Sequence, residues 1–311
     1  MQYNENSTIV KKIHVMNCDI IKTMNIPITQ SREWQKLQDD LGEKSILKQE
    51  KNYQYLAITK HTPMGNYLYC PYGPVAEDES AFEKALESLH HLAATEKAIF
   101  IRIEPINSDA TEYLPKNAKK TTDLNPKETW LLDLSGDEAA VKQKIPSRLL
   151  RYYKSASKKG ITIETSHNPD DIKYLLDLQK ALARDKGINT FSEHYLKTEL
   201  KQPFATLYLV KYQNPEQNNQ DQSGQEIIAA GLVFDDKHTR YNLQGAQSDL
   251  GRRLHATGIL TVQLILDAKA KSLKTFDGTE QDHAGTYDIV TKPFKYKLYQ
   301  IFRRINRLAR R

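Results

Sequence analysis

The stretch from Arg240 to Lys295 limits the possible folds of this chain more than any other. It opens on TRYNLQGAQ, enters a long run with helical apolar spacing, continues through KTFDGTE and closes on TKPFKYK. The pattern reads as strand, helix, strand and a return segment ending in Phe294 and Lys295. Such a unit belongs to a layered α/β arrangement.

The rest of the chain alternates in the same way. Ser31 predicts a helix cap, with Trp34, Leu37 and Leu41 on one face and Gly42 as the stop. SILKQ and YQYLAITKH read as paired strands, and NYLYCPYGPV as a strand broken at Pro71. Residues 80–96 form an amphipathic helix on Phe82, Leu86, Leu89, Leu92 and Ala93, followed by the strand AIFIRIEP. Residues 106–128 are polar and irregular, and TWLLDLSG is a strand. A basic helix broken near Pro146 carries Arg148, Arg151, Tyr152 and Tyr153, and the strand ITIETS follows. The helices from Pro169 to Gly187 and from Ser192, then TLYLVKY, EIIAAGLVFDD and HTRYNLQGAQ, repeat the mixed pattern. NPEQNNQDQSGQ makes a polar hairpin loop, and STIVKKIHV a first strand. The repeated element order suggests a structural duplication.

At 311 residues two domains are expected, placed at 1–150 (with a C-terminal helix, 296–311) and 151–295. A net charge of +6 and a pI near 9.0 favour an anionic partner over a plain basic protein. Cys18 and Cys70 form no metal or disulfide pattern. No apolar run approaches the roughly 20 residues of a membrane helix, and the N-terminus is too polar for a secretory signal. A cytoplasmic protein, peripheral at the inner membrane face, is expected. His255, Asp277, Asp282, His283 and Asp288 are irregularly spaced, so no metal site is expected, and Asp277 before Gly278 reads as a strand-end turn.

The order of elements in 170–280 resembles the GNAT acyltransferase fold. That superfamily holds coenzyme A with an R/Q-x-x-G-x-G/A loop, and GAQSDLGRRLHATG lacks it. No cofactor is therefore expected, and the acyl donor is not an acyl-CoA. Seven stretches together resemble the FemABX family of peptidoglycan bridge-forming aminoacyltransferases, which have two GNAT-like domains. They are QSREWQKLQDDLG, YLYCPYGPV, FIRIEP, the crossover PKETWLLDLSGDEAAVKQKIPSRLLRYYKSASKKGITIE, TRYNLQGAQ, LHATGILTVQLILDAKAKSLKTFDGTE and PFKYKLY. The resemblance implies tandem GNAT-like α/β (α+β) domains with mixed sheets. It also implies transfer of an amino acid from aminoacyl-tRNA to the stem-peptide amine of a UDP-linked or lipid-linked muropeptide, by a monomer.

The resemblance implies roles for particular residues. Lys295 is the catalytic group, stabilising the oxyanion that forms when the amine attacks the ester, and Phe294 packs the site wall. Lys36 contacts the acceptor phosphates. Tyr195 matches the tyrosine of an Arg-x-x-x-Tyr-Tyr pattern whose arginine is Phe191 here and whose second tyrosine is Leu196; Arg184 is the substitute cation. Tyr241 has two readings, ligand contact or strand packing. From the residues alone, KYKLYQIFRRINRLARR is a helix with Leu298, Ile301, Phe302, Ile305 and Leu308 on one face. It docks on the first domain, contacts an anionic membrane or tRNA through its basic face, or does both. The rival readings are a non-catalytic basic protein that binds nucleic acid or anionic lipid, and an N-acyltransferase for another amine.

Overall fold

The Ser31 side chain accepts a hydrogen bond from the Trp34 N–H and starts α1 (Arg32–Asp40), and Gly42 turns the chain away at φ +75°. The computed structural model describes residues 26–106, 108–125, 129–186, 190–214, 225–278 and 283–309. The expected strand in STIVKKIHV, the stop at Gly187 and most of the loop 214–225 lie outside the described residues.

β1 (Ser45–Gln49) and β2 (Tyr53–Lys60) pair antiparallel, Ser45 opposite Ile58. β3 (Tyr67–Cys70) ends at Pro71, and β4 (Val75–Ala76) returns to β2. Asp78 caps α2 (Glu79–Thr95), and β5 (Phe100–Ile103) follows. β6 (Ala118–Lys120) lies in the stretch read as irregular, where AKK offers no apolar alternation. Next come β7 (Leu131–Asp133), α3 (Glu138–Lys144), α4 (Ser147–Ser155), β8 (Ile161–Ser166), α5 (Ile172–Lys186) and α6 (Glu193–Leu200). β9 (Ala205–Tyr212), β10 (Glu226–Asp235) and β11 (Thr239–Gln247) are the expected strands. The expected long helix after β11 is two, α7 (Asp249–Arg253) and α8 (Ala256–Ala270). They part at His255, which sits at φ +61° with its ring stacked on Tyr152 at 4.0 Å. β12 (Thr275–Asp277), the unexpected β13 (Tyr287–Val290) and α9 (Pro293–Ala309) complete the order.

The strands form two mixed sheets. The first runs β1-β2-β3-β5-β13-β6 with β4 on β2, and the second runs β7-β12-β11-β10-β9-β8. β3 and β5 are parallel in the first sheet, and β11 and β12 in the second. Each parallel pair is joined by a strand–helix–strand crossover, through α2 or through α7 and α8. Element order had suggested this common plan.

The sheets divide the chain differently from a cut at 150 and 295. β7 lies before residue 150 but pairs with β12 of the second sheet. β13 lies before residue 295 but sits between β5 and β6 of the first. Each sheet takes an edge or closing strand from sequence assigned to the other, because strand pairing follows register and burial rather than proximity in sequence.

Four apolar clusters among the described residues hold this arrangement, the fourth being the α9 contact. α2 packs Phe82, Leu86 and Leu89 on Tyr55, Leu68, Ile101 and Ile289 of the first sheet. α3, α4 and α8 cover one face of the second sheet. On its other face, α5 and α6 share a core with Ile28, Trp34, Leu37 and Leu56 of the first half. Trp34 meets Phe234 edge to face at 5.9 Å. The two halves are therefore joined by buried apolar surface, the strongest non-directional term available.

α9 corrects two expectations. It docks through Tyr296 and Tyr299, which are buried against Phe100 with ring centroids 5.3 and 4.9 Å away. Leu298, Ile301 and Ile305 instead face outward, and Phe294 is 75% exposed and lines no wall. Flat aromatic surface and a buried hydroxyl bond outweigh the aliphatic stripe in choosing the docked face.

Candidate active site

Strand alternation places Ile58, Tyr69, Arg102, Asp288 and Lys119 in one row across the first sheet, on the face turned away from α2. Arg102 and Asp288 are buried and bidentate, Nε to Oδ1 at 2.7 Å and Nη2 to Oδ2 at 2.8 Å. The Tyr296 hydroxyl donates to Asp288 Oδ2 at 2.9 Å, so α9 is tied to this row. The guanidinium also lies over the rings of Phe100 and Tyr67 at 5.1 and 5.4 Å. Burial opposes the Arg102 charge, but the Asp288 carboxylate outweighs it and holds the group above its ordinary value. Burial pushes the Tyr67 phenol up to about 12.

A second polar cluster lies where β3 and β5 end. Glu104 is fully buried just beyond β5. It accepts hydrogen bonds from the Tyr69 hydroxyl at 2.9 Å, Asn125 Nδ2 at 2.7 Å and the Thr286 hydroxyl at 3.0 Å. Asn125 Nδ2 also donates to the Tyr69 oxygen at 2.8 Å. His283 Nδ1 accepts from the Gly285 N–H, which leaves the proton on Nε2 to reach the Asn125 carbonyl at 3.1 Å. Glu104 thus spends its acceptor capacity on holding neighbours. It positions the half-buried Tyr69 and Asn125.

Gln30 joins this face to α1. Its side chain donates to the Pro71 carbonyl and accepts from the Leu56 N–H at 2.7 Å, and its own carbonyl accepts from Gln54. A Cβ on Gly73 would lie 2.7 Å from the Gln30 side chain, so a side chain there would displace the Gln30 amide. The stretches QSREW, YLYCPYGPV and FIRIEP therefore meet as one assembly. Their chemistry was hidden in sequence, but an arginine and a glutamate two residues apart in an otherwise apolar strand (FIRIEP) were a usable signal.

The expected site residues are distributed around this assembly. Lys36 is exposed on α1, opposite the buried Trp34 and Leu37. Lys295 is exposed in the first turn of α9, next to the anchored Tyr296. Arg184 is exposed on α5. Tyr195 is half-buried on α6 and stacks on Phe191, centroids 5.0 Å apart, so an aromatic pair occupies the place of the arginine–tyrosine pattern. α1, α5 and α6 share the core between the sheets, which sets Lys36, Arg184 and Tyr195 on neighbouring elements. Tyr241 is a correction: it is 3% exposed, packed in that core, and donates its hydroxyl to Asp236 at 2.8 Å. It is packing, not a ligand contact.

The second sheet has its own opening. β11 pairs with β12 only from Thr239 to Tyr241 and then runs on to Gln247 paired with β10 alone. At the following turn Ser248 caps α7, accepting from the Gly251 N–H at 3.1 Å. A Cβ on Gly251 would lie 2.2 Å from the Ile228 carbonyl oxygen, so this glycine serves packing on β10. Asp277 ends β12 and accepts from the Thr129 hydroxyl. No group of three or more metal-ligating side chains occurs among the described residues. On the α8 side, Tyr153, Tyr208, Gln263 and Asp267 line a groove of about 300 Å³. Sequence reasoning had no signal for it.

No family model and no curated protein matches this sequence. Solved structures do match its fold. A crystal structure of FemX superposes with a TM-score of 0.71 at 16% identity, covering 87% of this chain and 94% of that one. The C-terminal domain of an Agrobacterium fabrum protein described as a lysylphosphatidylglycerol synthetase gives a TM-score of 0.52 at 14% identity, covering 82% of this chain and 76% of that one. The chain thus has a FemX-like fold, with two mixed α/β sheets.

Proposed function

We propose that this protein transfers an aminoacyl group from aminoacyl-tRNA to the stem-peptide amine of a peptidoglycan precursor, in the cytoplasm and without a cofactor. The observation that carries this reading is the assembly of QSREW, YLYCPYGPV and FIRIEP on one sheet face within a FemX-like fold. Arg102, Asp288 and Glu104 bond to their neighbours on that face, so the exposed cations take the reacting roles. Lys36, with Arg184 of α5 and Tyr195 of α6, holds the phosphates of the acceptor. The stem amine attacks the ester carbonyl carbon of the donor; a C–N bond forms first, and the C–O bond to the ribose then breaks. The proton lost by nitrogen ends on the ribose oxygen. Lys295 stabilises the oxyanion between these events, and the Asp288–Tyr296 bond positions the helix that carries it. Catalysis is otherwise by placing two substrates together.

The test is a transfer assay with charged tRNA and either UDP-linked or lipid-linked muropeptide, read by mass spectrometry of the amide product. Lys295→Ala should lower turnover roughly 100- to 1000-fold without changing the melting temperature. Absence of transfer with both acceptors, while tRNA binding persists, would favour a non-catalytic nucleic-acid-binding protein.

A further inference from the structure

α9 has two apolar faces, and only one packs against the other described residues. With about 100° between successive residues, Tyr296, Tyr299 and Arg303 lie on one side of the helix. The two tyrosines are buried on the first sheet, and Arg303 reaches the Thr121 hydroxyl at 3.3 Å. Phe294, Leu298, Ile301 and Ile305 fall on the opposite side, 75, 41, 56 and 57% exposed. They form a continuous stripe roughly 17 Å long at about 1.5 Å per residue. Exposed Lys295 borders it on one edge, and exposed Lys297 and Arg304 on the other. From Lys292 to Arg311 the sequence holds eight basic residues and no acidic one.

We propose that the outward face of α9 docks flat on an anionic lipid surface, with Phe294, Leu298, Ile301 and Ile305 entering the boundary between headgroups and acyl chains. Charge decides among the occupants. A second copy would set two rows of cations against each other. Residues 1–25 carry Lys11, Lys12 and Lys22 against Glu5 and Asp19, so they too are net positive. A nucleic acid would neutralise the cations and leave the apolar stripe in water. An anionic bilayer meets both needs at once: apolar residues enter the interface, and Lys297 and Arg304 meet the headgroups. The helix is already folded and anchored by its tyrosines, so docking requires no coupled folding. No helix among the described residues is long and apolar enough to cross a membrane, so the contact is peripheral.

The inference stands apart from the transfer reaction, and its test uses no substrate. The full chain is sedimented with vesicles of phosphatidylcholine alone or mixed with phosphatidylglycerol. It should pellet with the anionic vesicles only. Ile301→Ser with Ile305→Ser should weaken that binding roughly tenfold or more, and Lys297→Gln with Arg304→Gln should also weaken it, most strongly at low salt. All four positions are exposed, so the melting temperature should hold. Equal binding to neutral vesicles, or full binding by the serine variant, would overturn the proposal. Failure to bind vesicles would also overturn it: a dimer that the serine variant dissolves would point to a second copy, and RNA binding that the glutamine variant abolishes to a nucleic acid.

Discussion

Each sheet buries one arginine against one aspartate, and the two pairs do different work. Arg102–Asp288 joins residues 186 apart in sequence, both almost wholly buried, and Asp288 also accepts from Tyr296. Arg240–Asp235 joins residues five apart across the β10–β11 turn. Its carboxylate is 14% exposed and shared with Lys271, and Arg240 has further partners in the Tyr208 hydroxyl and the Leu264 carbonyl. The first pair clamps the end of the chain onto its first half, and the second staples a local turn. A buried ion pair adds little net stability over good apolar packing, but losing one partner strands a charge. The cost of such a loss should therefore follow how many other partners remain.

The strongest break in this comparison is Asp288→Ala, which strands Arg102 and unties α9. It should cost about 3–5 kcal/mol in urea unfolding. Asp288→Leu combined with Arg102→Met should recover most of that loss, since no charge remains buried; equal instability of single and double variants would mean the pair is not the cause. Asp235→Ala should cost less, about 1–3 kcal/mol, because Arg240 keeps two other partners.

That second pair also has a pH signature. Burial works against the Asp235 carboxylate, but Arg240 and Lys271 outweigh it and hold it below its ordinary value of 3.8. A carboxyl depressed in the folded state contributes stability that is full above its unfolded value and is lost as pH falls through the folded one. Asp235→Asn should therefore flatten the loss of stability below pH 3.8; an unchanged acid limb would refute the assignment. The smallest effect is expected from Tyr296→Phe, about 0.5–1.5 kcal/mol. If α9 positions Lys295, this variant should lower turnover as well as stability, whereas Lys295→Ala should lower turnover alone.

Much of the fold was legible in the sequence. Ser31 and Ser192 sit at helix starts, and alternation or apolar spacing revealed β1, β2, β5, α2 and β9–β11. The misses have physical causes. β13 has only Tyr287 and Ile289 to show alternation, and its central Asp288 reads as a polar break unless Arg102 is known to face it. β6 is a three-residue edge strand with two lysines, a common way of blunting a sheet edge and a poor pattern signal. α9 shows two candidate faces, and aliphatic spacing pointed to the wrong one. The roles proposed for Lys36 and Lys295 rest on family resemblance, since an exposed lysine carries no local signal. The Tyr69–Glu104–Asn125 cluster depends on contacts between segments far apart in sequence, which no local window contains.

The position of β13 also bears on the order in which the protein can be built. Every strand of the second sheet is present once residue 277 has been synthesised, whereas the first sheet lacks the strand between β5 and β6 until residue 290. Chains fold as units during synthesis, and pairings distant in sequence form slowly. The half nearer the N-terminus is therefore the one that must wait, with the acceptor for Arg102 still in the ribosome while its partner sheet is already complete.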